Sequence, residues 1–481
     1  MSEEPLLISD VQRRVVAELA RIAPVTEELG RRFAAAGEQI ALVGGPVRDA
    51  MLGRRQLDLD FTTSARPEVT EQLLTGWADA VWDIGRAFGT IGCRRGDWQV
   101  EITTWRAEAY DPQSRKPTVQ YGDSLVADLG RRDFTVNAMA LTLPEQQLED
   151  PFGGVLDLAH RRLRTPGRPE DSFSDDPLRM MRAARFSSQL GFSVEPEVVD
   201  AMRAMAQRIT IVSAERVRDE LVKLVMSPDP VRGLRLLVAT GLASYVLPEL
   251  PALALERDEH HRHKDVYEHT LTVLEQSIDL ESRLGGPDLV SRLAALMHDV
   301  GKPRTRRFAG NGVVTFHHHD VVGAKLTRKR MQALRFPRDQ TEAVAQLVEQ
   351  HLRFHGYGSG EWTDSAVRRY VRDAGDQLER LHVLTRADCT TRNRRKADLL
   401  RRTYEELEHR IDHLSAEEEL ASIRPDLTGF QIMEILGIGP GREVGEAYKH
   451  LLELRLDRGP MSEEDATAAL LEWAGRSSTG S

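Results

Sequence analysis

The sequence predicts an α+β head built on a mixed sheet, followed by a long all-helical remainder. Two observations set that class. In the first third, short apolar or alternating runs at 42–43, 57–61, 81–84 and 99–104 read as strands, divided by glycine turns. From about residue 170 onward the apolar spacing becomes helical and stays so to the C-terminal end.

In chain order, residues 1–30 read as an amphipathic leading helix and 31–165 as the head. Residues 166–260 read as a helical neck and body, 261–400 as a second helical domain rich in histidine and aspartate, and 401–481 as a helical tail. Ser227-Pro-Asp-Pro230 and Leu247-Pro-Glu-Leu-Pro251 break the helical pattern inside the body. The segment 105–122 carries two prolines, mixed charge and no periodicity, so it reads as a loop. In the tail, 403–419 reads as one charged helix, and 429–445 as two helices joined by a glycine-rich turn that could present amides to a phosphate or simply form a packing corner.

The most informative stretch is Leu42-Val-Gly-Gly-Pro-Val-Arg-Asp49 with Leu57-Asp-Leu-Asp-Phe61 after it. Gly44 and Gly45 allow a phosphate to approach the backbone, because no side chain blocks the amides. Arg48 adds a charged donor for a polyphosphate. Strand periodicity puts Asp58 and Asp60 on one face, where their repulsion is unfavourable unless they share a cation. Oxygen donors of this kind suit magnesium, as one ion or two, and so point to phosphoryl or nucleotidyl transfer. Glu101, in an alternating run, is a candidate third carboxylate, although a solvated strand residue reads the same way.

Arg132 and Asp133, in Arg131-Arg-Asp-Phe-Thr-Val-Asn137, offer donors with an acceptor to orient them, and Asn137 follows. Asp175-Asp-Pro-Leu-Arg179 opens a helix on which Arg179, Arg182 and Arg185 recur at steps of three, along one side. The Asp176 carboxylate can accept from the exocyclic amine of cytosine or adenine while Arg179 donates to the adjacent ring nitrogen. Guanine and uracil reverse that order and would leave both protein groups mispaired.

Together these motifs resemble the class II tRNA nucleotidyltransferase and bacterial poly(A) polymerase family. Its signature Gly-Gly-x-Val-Arg-Asp, Leu-Gly, Asp-x-Asp is matched at Gly44, Gly45, Val47, Arg48, Asp49, Leu52, Gly53, Asp58 and Asp60. The resemblance implies a DNA polymerase β-type head. It places Arg132, Asp133 and Asn137 near the nucleotide, and gives Asp176 and Arg179 the base-selecting role, with CTP, ATP and tRNA as substrates. The family's Glu-Asp-x-x-Arg has Asp175 here in place of Glu, which shortens only the first acid. A flexible loop between the first two motifs helps such enzymes pass from C to A, which favours CCA addition over CC addition alone. A poly(A) polymerase, or a CC- or A-adding enzyme, shares every head motif.

Further on come His269, then His298-Asp299 in His298-Asp-Val-Gly-Lys302, and finally Asp388. Histidines and aspartates on successive helices can converge on a divalent transition metal. This set resembles the HD phosphohydrolase superfamily, and His319 and His351 match the additional histidines of its two-metal members. His317 and His318 adjoin His319, and the sequence leaves the register of the three open. Such a domain could act on phosphate-ended RNA or serve as a metal-bound scaffold.

The net charge of −10 excludes indiscriminate nucleic-acid binding. It permits one structured RNA along local clusters such as Arg94-Arg95, Arg161-Arg162, Arg304 to Arg307 and Arg392 to Lys396. Two cysteines supply neither a disulfide framework nor a zinc ribbon. No positively charged leader or membrane-length apolar run is present, which gives the expectation of a cytoplasmic protein without a membrane partner.

Overall fold

The computed structural model describes residues 8–478 apart from 56, 86–88, 110–117, 123, 255–264, 309–313, 355–361, 391–393 and 418–422. The chain divides into two compact units, Met1–Pro248 and Glu249–Ser481.

The first unit has the mixed sheet and helical sequel that the sequence predicts. Seven described strands form that sheet: β1 (Ile40–Val43), β2 (Asp58–Thr63), β3 (Ala80–Gly85), β4 (Thr90–Arg95), β5 (Trp98–Thr104), β8 (Ala140–Leu143) and β9 (Leu148–Glu149). They lie in the order β3-β4-β5-β2-β1-β8-β9. The β2–β5 pair is parallel and the rest are antiparallel. Leu59 and Phe61 alternate with Asp58 and Asp60 along β2, so the apolar side chains enter the core and the acids face outward.

The leading helix runs from Ile8 to Ala35, beyond the expected end near residue 30. Pro24 lies inside it, and the helix continues because Leu29 and Phe33 are fully buried. A Cβ on Gly30 would press on Leu143 and Pro144, so this helix lies tight against β8. Within the segment expected to be a loop, β6 (Arg106–Ala109) pairs antiparallel with β7 (Thr118–Tyr121). Residues 110–117 lie outside the described residues.

Beyond the sheet, the helix Leu178–Leu190 is buried along most of its length and ends at Gly191, which takes the left-handed conformation. The helix Ala214–Val225, N-capped by the Ser213 side chain, packs against it. Gly233, on the helix Pro230–Ala239, allows a close crossing, since a Cβ there would strike the Ala184 carbonyl and the Ser188 hydroxyl.

Among its described residues, the second unit is helical apart from an antiparallel pairing of Arg307–Phe308 with Val314–Thr315. Helices Val266–Asp279, Leu289–Met297, His319–Ala333, Arg338–Gln350 and Leu378–Ala387 form its bundle. The tail's three helices, Gly429–Leu436, Arg442–Arg458 and Glu463–Ser478, share a small core of Leu427, Ile432, Ala447, Leu451, Ala466 and Leu470. A capping box between Thr428 and Gln431 opens the first of them, and left-handed Gly437 closes it, which gives the expected glycine turn. The charged helix expected at 403–419 spans Arg394–Glu417.

Candidate functional site

In the head, β2 and β5 run in register, so Asp60 lies opposite Glu101 and Asp58 opposite Gln99. Directly paired residues of a parallel ladder share a face, which sets Asp58, Asp60 and Glu101 together. On the other side of Glu101 the β4 partner is Gly92, so no side chain crowds it there.

The electrostatics agree with that crowding. Partial removal from water, then Asp60 and Asp58, raises the Glu101 carboxyl above the usual range. Desolvation and Asp58 also raise Asp60, against the pull of Arg132, Arg182 and Arg48. Asp58 and Asp60 remain open to solvent, so the cluster sits at an accessible mouth. Three hard oxygen donors that repel one another fit a divalent cation.

Gly44 holds φ at 72°, and a Cβ there would lie 3.0 Å from Arg132 Nη1, so only glycine lets the turn and that guanidinium coexist. Arg132 is braced by Asp128, a fully buried acid that the sequence reading passed over. Asp128 also accepts from Arg131 Nε and Thr62 Oγ1, each at 3.0 Å. Burial raises the Asp128 carboxyl, but Arg132 and Arg131 outweigh it and hold the group below its ordinary value.

Arg48, expected as a charged donor for a polyphosphate, is engaged by partners within the protein. It is buried, and it donates through Nε and Nη2 to the two oxygens of Asp49 at 2.9 and 2.8 Å. Its Nη1 donates to Asn137 Oδ1 at 2.6 Å, and Asn137 Nδ2 donates to Asp133 Oδ1 at 2.9 Å. Asp133 Oδ2 then accepts from Arg182 Nε at 2.7 Å and Nη2 at 2.5 Å. A continuous polar chain thus links the first, second and third motifs, and Arg48 braces it from within. Burial raises the Asp133 carboxyl, yet Arg182 and Asn137 overcome that and hold it well below the usual carboxylate range.

The expected arginine row on the helix Leu178–Leu190 is present, but each member has a different partner. Arg179 donates through Nη1 to the Ser172 hydroxyl at 2.8 Å and through Nη2 to the Arg131 carbonyl at 2.5 Å. Arg182 takes Asp133, and Arg185 Nε takes Glu220 Oε2 at 2.6 Å. Asp176 does not pair with Arg179. Its Oδ1 accepts from the Leu178 amide at 3.1 Å and its Oδ2 from Arg216 Nη2 at 2.8 Å. Arg216 and Glu220 were missed because Ala214-Glu-Arg-Val-Arg-Asp-Glu220 reads as an ordinary charged helix face.

In the second unit, all six expected histidines and aspartates converge. His269, His298 and Asp388 form one group of ligand atoms within 4.8 Å of one another, and Asp299, His319 and His351 form a second. Asp299 connects the two, with Oδ2 at 3.2 Å from His298 Nε2 and Oδ1 at 3.3 Å from His319 Nε2. His319, which opens its helix, is buried, whereas His317 and His318 are exposed; this settles the register left open above.

Four imidazoles present Nε2 inward because Nδ1 is held from behind. His298 bonds the Ala295 carbonyl and His319 the Phe316 carbonyl, both at 2.8 Å, and His351 bonds the Val348 carbonyl at 2.6 Å. His269 Nδ1 lies 3.0 Å from Thr390 Oγ1. For His298, His319 and His351, whose Nδ1 must donate to a carbonyl oxygen, this is the tautomer that leaves Nε2 as a lone-pair donor. His298 Nε2, His319 Nε2 and Asp299 Oδ1 are buried without a hydrogen-bond partner, which fits metal ligation. Burial and the adjacent His298 push His351 down to about 4, so its imidazole is neutral at pH 7. Burial opposes Asp299 ionisation, but His298, His319 and Lys302 hold it well below the ordinary range.

Over 443 residues the chain is 37% identical to the A-adding tRNA nucleotidyltransferase of Deinococcus radiodurans, covering 90% of this chain and 95% of that protein. The chain belongs to the tRNA nucleotidyltransferase family. It is also 33% identical to the CC-adding tRNA nucleotidyltransferase of Thermus thermophilus, over 90% of this chain and 93% of that protein. A CCA-adding enzyme of Bacillus velezensis shares 39% identity over 49% of this chain and 57% of its own length.

Three family descriptions match this nucleotidyltransferase: "Poly A polymerase head domain" at 40–164, "Probable RNA and SrmB-binding site of polymerase A" at 191–253, and "HD domain" at 266–393. Both the head and HD families are metal-dependent in general. Among solved structures, the Bacillus stearothermophilus CCA-adding enzyme in complex with CTP is similar with a TM-score of 0.68 and 25% identity, covering 94% of this chain and 98% of that one. The Thermotoga maritima CCA-adding enzyme complexed with tRNA shares the fold, with a TM-score of 0.61 and 19% identity, over 96% of this chain and 98% of that one.

Proposed function

We propose that the nucleotidyltransferase adds CMP, CMP and AMP from CTP and ATP to the 3′ end of tRNA, without a nucleic-acid template, releasing pyrophosphate. The observation that carries this reading is the shared face of Asp58, Asp60 and Glu101 beside the Gly44 turn. Asp58 and Asp60, with Glu101, would hold magnesium, which when bound lowers the pKa of the attacking hydroxyl and offsets charge on the departing pyrophosphate. Arg132, held by Asp128, aims positive charge across the Gly44 turn toward a polyphosphate.

Asp133 holds Arg182, while Asp176 and Arg179 read the base edge as acceptor and donor. Arg179 is anchored by Ser172 and the Arg131 carbonyl, and the rest of its five-donor fork serves the base. Asp58→Ala or Asp60→Ala should abolish incorporation of both CMP and AMP into a tRNA transcript, and full activity in either would overturn the reading. A cytoplasmic setting, as expected from the sequence, belongs with this proposal. Among the described residues, no helix is long and apolar enough to cross a membrane.

Partial addition is a second reading. It is favoured by the names of the two relatives that match over 90% of this chain, one A-adding and one CC-adding. For the HD domain we propose hydrolysis of phosphate-ended RNA, such as a 2′,3′-cyclic phosphate. The two ligand groups around Asp299 support it, with a divalent transition metal bound by mixed nitrogen and oxygen donors. Release of phosphate or opening of the cyclic ester that survives in His298→Ala would refute that assignment.

A further inference from the structure

We propose that Arg216 is a positioning residue for base selection: it holds the Asp176 carboxylate in the orientation that accepts from the amine of cytosine or adenine. The inference rests on the base-reading role given to Asp176 above. Three features of the helix Ala214–Val225 carry it.

First, Arg216 reaches across to the turn that precedes the helix Leu178–Leu190 and takes the Asp176 oxygen that the local turn leaves over, at 2.8 Å. The other oxygen is already tied to the Leu178 amide. With both oxygens engaged the carboxylate has one orientation, and without Arg216 it can turn about its side-chain bonds.

Second, the arginine stands where local helix energetics disfavour it. Its own amide donates to the capping Ser213 hydroxyl, which places it in the first turn, where the helix dipole favours acids over cations. Its side chain is about half exposed (55%), so its ion pair adds little to stability. A residue at odds with its local setting and of small value to the fold marks a functional constraint.

Third, Glu220 lies one turn further along the same helix and clamps Arg185 at 2.6 Å, with Arg182 at 3.7 Å. One helix thus contacts the reading helix Leu178–Leu190 at two places: Asp176 just before its start through Arg216, and Arg182 and Arg185 in its middle through Glu220. Arg179 is anchored separately, by Ser172 and the Arg131 carbonyl. The acceptor and donor of the base-reading edge are therefore aligned by different supports, and Arg216 alone holds the acceptor from outside its own turn.

The test compares the full-length parent with Arg216→Gln, Arg216→Lys and Asp176→Asn in single-nucleotide addition to tRNA transcripts, with CTP, UTP, ATP and GTP each supplied alone, alongside thermal melting. Arg216→Gln should lower the kcat/KM preference for CTP over UTP, and for ATP over GTP, by about tenfold. Most of the change should lie in KM for the correct nucleotides, with the melting temperature within about 2 °C of the parent. Arg216→Lys, which keeps the charge, should restore part of the preference. Preference within about twofold of the parent in Arg216→Gln, or an equal loss for all four nucleotides with a fall in melting temperature, would overturn the proposal. Asp176→Asn separates the two levels: if it keeps full base preference, the role of Asp176 is itself wrong. If Asp176→Asn loses the preference and Arg216→Gln does not, only the inference about Arg216 fails.

Discussion

Asp133→Asn tests whether the polar chain between the three head motifs is one structural unit. The substitution is nearly isosteric, but an amide supplies one acceptor oxygen where the carboxylate supplies two. If that oxygen keeps the Phe134 amide and Asn137, the NH2 group faces Arg182 Nε and Nη2, which sit 2.7 and 2.5 Å from the lost oxygen. Breaking a buried ion pair costs roughly 3–5 kcal/mol. Arg182 is a third exposed and keeps Glu220 at 3.7 Å, so solvent and that partner reduce the loss to roughly 2–3 kcal/mol.

For a unit of this size that corresponds to a fall of roughly 4–12 °C in melting temperature. Scanning calorimetry can follow the Met1–Pro248 transition, identified by its shift with CTP. The native Asp133 pKa lies below the unfolded value of about 3.9, so its contribution is complete above that pH and disappears as pH falls through the native value. The gap between parent and variant should therefore hold from pH 7 to about 5 and narrow only below about 4. A gap under about 1 °C at pH 7, or one that widens on acidification, would refute the reasoning.

Asp60→Asn should abolish addition yet leave the melting temperature at pH 7 unchanged or slightly higher, because desolvation and Asp58 already oppose ionisation at that position. Glu101→Gln should lower addition by on the order of a hundredfold; a change under about threefold would return Glu101 to the status of a surface strand residue. Asp299→Ala should remove bound manganese measured by elemental analysis after dialysis, since Asp299 contacts both ligand groups; undiminished metal content would contradict the bridging role. Gly301→Ala would drive a Cβ into the His319 carbonyl and the Gly323 amide. It should cost about 1–3 kcal/mol in the unfolding transition of the HD-containing unit, and an unaltered transition would count against that packing.

Local pattern was enough for the residues whose partners lie close in the chain. The two-residue period of β2 placed Asp58 and Asp60 on one face without any knowledge of the sheet. Glu101 stayed ambiguous because its neighbour is set by a parallel pairing that no local signal encodes. The HD ligands were found as motifs, but choosing His319 over His317 and His318 required the helix start that buries it. Arg48 looked like an open donor because its partners are adjacent Asp49 and Asn137, some ninety residues away, and burial by a distant segment is invisible in the chain. Asp128, Arg216 and Glu220 escaped for the same reason: each is a common surface residue type until the fold sets an oppositely charged partner against it. The leading helix runs past its expected end near residue 30 because burial of Phe33 is set by tertiary packing that the local pattern does not show.

The most direct test of nucleotide addition uses tRNA transcripts that end before CCA, after the first C and after CC, with CTP and ATP supplied separately and together, and the products sized at single-nucleotide resolution. The account predicts two C residues with CTP alone on the shortest transcript, one A on the CC-ended transcript, and CCA with both nucleotides. Only C addition, only A addition, long A tails, or no incorporation would contradict it.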